Sequence, residues 1–414
     1  NHKMTIEAGT VIKGSFSGAD VATLIITRGS KIEAVGSPTE PIIFTSASPN
    51  PQSGDWGGIV ICGKAPINTS YNGTQGLYQV EGGIDNANGD GLAGSGDALV
   101  STAISNDNSG KLQYVRIEFA GYAFQPDKEI NSLTLAAVGS GTTIDHIQVV
   151  YAKDDAYEFF GGTVNCKYLI AFKTQDDDFD TDNGYSGKVQ FGLIIRDSLI
   201  ADISKSEAFE SDNNSGGGTV TPKTSAVFSN ITAIGPRATL TNIGNSTYLA
   251  GAQIRRNSGI SIYNSIIMGW PTGIFIDATT GTSTALNIED STLRLRNVTL
   301  AGNNINVRFA GTAGTTINSD AILTTWFTNS YFNNEILTNA ADAKLIQPFN
   351  YSAPDPTPFA GSSGNQKILT GGSYDDLKFT GDTFFDKTAT FRGAIAPAGI
   401  NATWWKGWTK FNYN

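Results

Sequence analysis

The stretch DDDFDTDNGYSGKV, residues 176–189, places five aspartates within seven residues. Carboxylates this close raise the cost of ionising one another. The charge must be offset by a bound cation, by nearby Lys or Arg, or by full exposure to water. Similar residues recur on either side. Aligned on Tyr157, Phe179 and Phe209, the segments KDDAYEFFGG, DDDFDTDNG and KSEAFESDNN carry Asp155, Asp177 and Glu207 two places before the ring. Glu158, Asp180 and Glu210 stand one place after it, and Asp182 and Asp212 three places after it in the last two segments. The steps between the rings are 22 and 30 residues, the length of one coil in a stacked-coil protein. The aspartates therefore read as three acidic rungs stacked on successive coils, beside an inward aromatic stack.

Stacked strands lie about 4.8 Å apart, a spacing at which carboxylates repel unless a positive charge sits between them. Calcium is the expected cation, because it takes about six to eight oxygens in flexible geometry. The expected ligands are Asp155, Glu158, Asp176, Asp178, Asp180, Asp182, Glu210 and Asp212. Asp178, Asp180 and Asp182 alternate as D-x-D-x-D, as at the start of a calcium loop, but Asn183 at the sixth position and Val189 at the twelfth exclude an EF-hand. Two alternatives stand beside calcium. One is a salt-bridged ladder, with Lys153, Lys173 and Lys205 each preceding a rung and Arg255 and Arg256 reaching Glu210 from a following coil. The other is a catalytic carboxylate cluster with Lys173 or Lys188 as base.

The elements that must hold these rungs repeat. The segments SAVFSNITAIG, SIYNSIIMG, LRLRNVTLAG and TTWFTNSYFN alternate apolar residues around Asn230, Asn264, Asn297 and Asn329, at intervals of 34, 33 and 32 residues. Alternation means strands, and strands recurring at that period without intervening helices mean a solenoid. The fold class is all-β, a parallel β-helix in which the asparagines stack as a ladder. His146 occupies the same slot in TIDHIQVVYA and is read as a ladder member, not a catalyst. The β-helix is expected over residues 1–335. A loop and an aromatic capping segment over 336–414, with Phe384, Phe385, Trp404, Trp405 and Trp408, should fold over the last coil. The Gly/Asp/Asn-rich stretch from Val80 to Gly110 reads as a surface excursion.

The 414 residues carry a net charge of −10 and no basic stripe, which argues against nucleic acid as a partner. Only 16% of residues are charged and 47 are glycine, a composition suited to short strands and polar turns. No apolar run is long enough for a transmembrane helix. Nothing in the spacing of Cys62 and Cys166 demands a disulfide. The opening NHKMTIEAGTVIKG already reads as strand and turn, which suggests a processed or trimmed N-terminus.

The motifs GTVIKG, EPIIFTS, GDWGGIVICGKAPIN, YVRIEFAGYAF, DDAYEFFGGTVN, DDDFDTDNGYSGKVQ, AFESDN and IRRNSGISIYNSIIMGWPTG, with the closing FRGA…WWKGWTKFN, resemble a family of uncharacterised Bacteroidota surface proteins. The resemblance covers nearly the whole chain. It implies a right-handed, pectin-lyase-like parallel β-helix and an exported protein, often a lipoprotein encoded near TonB-dependent transporters. It brings no activity. The expectation is a non-catalytic surface or secreted protein that binds a glycan or a surface-protein partner, an outer-membrane transporter included. The alternatives are an assembly or adhesin subunit and a calcium-dependent polysaccharide lyase or glycoside hydrolase.

Overall fold

The computed structural model describes residues 2–413 except 17, 83, 85–87 and 126–127. Two long parallel sheets, of 14 and 10 strands, run the length of the molecule and coil into a right-handed β-helix. The first sheet is bent. In Gly110–Glu118, Thr143–Val150, Asn165–Phe172, Lys188–Ile195 and Val227–Ile234 one residue drops out of the pairing: Tyr114, His146, Tyr168, Phe191 and Asn230. Each has φ between 53° and 64°. In other coils the same limb is two separate strands, such as Ser261–Tyr263 and Ile266–Met268. The bend makes the cross-section three-sided, with a one-residue corner between two of the faces.

Such a corner favours residues that tolerate the left-handed region, asparagine above all. Asn297 Nδ2 donates to Asn264 Oδ1 at 3.0 Å. Asn264 reaches Asn230 through Ser229, whose hydroxyl bonds both. The column ends at Asn333, which donates to Asn297 Oδ1 at 3.0 Å. Asn329, expected in that slot, instead caps a short 3₁₀ turn by accepting from Tyr331 N, four residues before the true corner. In the earlier coils the corner is aromatic. His146 stacks between Tyr114 and Tyr168 with ring centroids 4.3 Å from each.

Inside, Ile59, Leu133, Tyr157, Phe179, Phe209 and Ile274 belong to one continuous apolar core. Helix Asp320–Phe327 adds Leu323 and Phe327 to it at the last coil. The excursion from Val80 to Gly110 packs Val80 and Ala93 onto the outer side of the second sheet, against Val60, Cys62 and Phe160. Cys62 and Cys166 are buried and unpaired.

The C-terminal segment bonds the last coil, where Asn365 donates to Glu335 and Arg392 to the carbonyl of Asn333, but its aromatic part does not fold over that coil as expected. It runs back along the flank, from the last coils toward the first. Ser373 N donates to Asn264 Oδ1 at 2.9 Å, Asp386 N to Gln190 Oε1 at 2.7 Å, Lys410 N to Gln148 Oε1 at 2.9 Å, and Tyr413 Oη to Glu118 Oε1 at 2.8 Å. The aromatic corner explains the path. Its rings face outward and gain by burial, and Trp404 and Trp408 meet His146 edge-on.

Candidate metal centre

Three neighbouring strands of the second sheet, Tyr157–Phe160, Phe179–Asp182 and Phe209–Ser211, build the site. Alternation sends Tyr157, Phe179 and Phe209 into the core. Glu158, Asp180 and Glu210 point the other way and stand directly in register, Glu158 opposite Asp180 and Asp180 opposite Glu210. Beside this row runs a second one. Asp155 Oδ1 accepts from Asp177 N at 2.9 Å, and Asp177 Oδ1 accepts from Glu207 N at 2.6 Å. Asn131 continues the motif one coil earlier. Its Oδ1 accepts from Asp155 N at 3.2 Å, and its amide also bonds Glu158 Oε2.

Together these rows floor a cleft of about 660 Å³ whose lining also includes Asp154, Asp176, Asp182 and Asp212. Three groups of carboxylates have oxygens within 4.8 Å of one another: Asp154, Asp155 and Asp176; Asp155, Glu158 and Asp180; and Asp177, Asp180 and Glu210. Calcium–oxygen bonds run about 2.3–2.6 Å, so two oxygens on opposite sides of one calcium lie about 4.8 Å apart. The donor set is all oxygen, the choice of a hard cation such as calcium, not of zinc or copper.

Burial first, then the neighbouring carboxylates, hold Asp154, Asp155, Glu158, Asp177 and Asp180 well above the usual carboxylate range. The same causes push Asp176, Asp182 and Glu210 up to about 7 and Glu207 up to about 8. At one end of the cleft arginines supply the opposite charge. Arg255 pairs with Glu210 and, at 2.8 Å, with Asp212, while Arg256 meets Asp212 at 2.6 Å.

Seven of the eight expected ligands line this cleft. Asp178 does not. The strand begins at Phe179, so its alternation does not extend back to Asp178. That carboxylate is fully buried in an ion pair with Arg196 at 3.1 Å. Lys173, read as a compensating charge or a base, pairs with Asp197 at 3.2 Å, and Lys188 with Asp382 on the C-terminal segment. Lys153 and Lys205 do line the cleft, without an ion pair among the described residues. Asp154, Asp177 and Glu207 were not among the expected ligands, although each neighbours or aligns with one. Glu81, Glu129 and Asp202 reach the cleft from excursions whose sequence carries no coil register.

Two long parallel sheets coiled into a β-helix are the architecture of the pectin-lyase-like class. The family model of the pectate-lyase-like β-helix domain matches residues 1–344, and the chain belongs to that family. No curated protein and no solved structure matches the chain.

Proposed function

We propose that the acidic cleft is a calcium site, and that the protein is a non-catalytic β-helix that presents the bound ion to a glycan or to a surface-protein partner. The observation that carries this reading is the in-register row Glu158, Asp180 and Glu210, facing outward with the second row beside it. Uncompensated, that row is costly. With a hard divalent cation between the rows it becomes favourable. Calcium would be most available outside the cytoplasm, which supports an exported or outer-membrane location. The bases expected for a lyase, Lys173 and Lys188, are tied to Asp197 and Asp382 away from the cleft, which leaves Lys153 and Lys205 in its lining as the lysines that reading would have to use.

Calorimetric titration of calcium into chelator-stripped protein tests the site. Saturable binding reduced in Asp180→Asn supports it, and no binding refutes it. Incubation with a broad panel of glycans tests the non-catalytic role. Release of unsaturated or reducing sugar that disappears in Asp180→Asn would replace it with an enzyme.

A further inference from the structure

The three groups of oxygens share members. Asp155 belongs to the first and the second, and Asp180 to the second and the third. A carboxylate has two oxygens and can hold a cation with each. The geometry points to a row of adjoining divalent cations in this cleft, at least two, with Asp180 and Asp155 as bridging ligands. This rests on the calcium reading and adds the number and linkage of the ions.

Three observations carry it. The first is charge. With the rim residues Glu81 and Glu129 left aside, ten carboxylates line the cleft against four cationic side chains. The two arginines are already spent on Glu210 and Asp212. A single divalent ion would leave most of the formal excess of six in place, two would cut it to two, and three would remove it. The second is the state of individual atoms. Glu207 is 1% exposed, and its Oε1 has no hydrogen-bond partner. It is the strongest like-charge neighbour of Asp177, in the third group. Asp180 Oδ1 is likewise buried without a partner. Asp180 lines the cleft, so its Oδ1 is an acceptor there that lacks a donor, whereas Glu207 lies outside the lining, beside Asp177. The third is spacing. The second and third groups step from one coil to the next, about 4.8 Å, close to the about 3.5–4 Å between the ions of two-metal sites, while the first lies beside the second on the same two coils.

Native mass spectrometry of the chelator-stripped chain, reloaded with calcium and buffer-exchanged, counts the ions. At least two per chain are expected. Asp180→Asn, which touches two groups, should retain two fewer than the parent, and Glu158→Gln, which touches one, one fewer. A single ion in the parent overturns the row while leaving the calcium site standing. No ion overturns both. Two ions with Asp180→Asn losing only one overturns the bridge. If Asp180→Asn does not fold, energy transfer between terbium and europium loaded together into the parent chain decides. Efficient transfer supports adjoining ions, and isolated emission contradicts them.

Discussion

Asp155 Oδ1 accepts the backbone N–H of Asp177, one coil further on, at 2.9 Å. The bond gives this carboxylate a structural duty on one oxygen while it also belongs to two of the cation groups. Asparagine retains a side-chain acceptor and drops the charge, so the two duties separate. Asp155→Asn is expected to raise the thermal midpoint in chelator, by relieving repulsion, and to lower it in calcium, by removing a ligand. Asp155→Ala loses the acceptor as well and should cost about 1–3 kcal/mol under both conditions. Thermal melts of the three proteins in chelator and in calcium check both signs, and denaturant melts give the size of the alanine loss.

Arg255 serves the same cleft from the opposite direction. It pairs with Glu210 and Asp212, so Arg255→Gln should destabilise the stripped protein more than the calcium-loaded one. Equal losses in chelator and in calcium would mean that the ion does not reach this end of the row.

The buried pair Asp178–Arg196 stands apart from the cleft. Removing one partner of such a pair costs about 3–5 kcal/mol, so Arg196→Met should lose stability on that scale. Asp178→Asn should leave the number of bound calcium ions unchanged while Asp180→Asn lowers it. A drop in calcium number on Asp178→Asn would return Asp178 to the ligand set.

Stability should depend on pH with opposite signs in the two states. Asp176, Asp182, Glu210 and Glu207 have folded pKa values of about 7, about 7, about 7 and about 8, raised above those of the unfolded chain. The folded stripped protein therefore binds more protons than the unfolded one between roughly pH 4 and pH 8. The contribution of these groups is fully present below the unfolded values and is lost as pH rises through the folded ones. The stripped protein should be more stable at pH 5 than at pH 7.5. With calcium bound the carboxylates stay ionised, and acid should destabilise by displacing the ion. Melts at the two pH values, with and without chelator, give the signs directly.

Much of this arrangement was legible in the sequence because it is periodic. The 34- and 33-residue steps from Asn230 to Asn297 match coils that stack, and the alignment on Tyr157, Phe179 and Phe209 matches the register of the strands. What failed was local or long-range. Asn329 and Asn333 stand four residues apart, on either side of a 3₁₀ turn that follows a helix end, and the left-handed backbone at 333, with φ of 51°, marks the corner. Asp178 sits one residue before its strand, where alternation no longer decides a side chain's direction. The path of the C-terminal segment follows from the aromatic corner of coils more than two hundred residues earlier, a relationship no local pattern encodes.

The most direct test of the central claim is thermal unfolding of the chelator-stripped protein at pH 7.5 across a calcium titration. A ligand that binds only the folded state stabilises it by about 2.7 kcal/mol at about one hundred times its Kd. The account predicts a midpoint that rises with calcium, and a smaller rise in Asp180→Asn. Superimposable curves with chelator and with saturating calcium would contradict it.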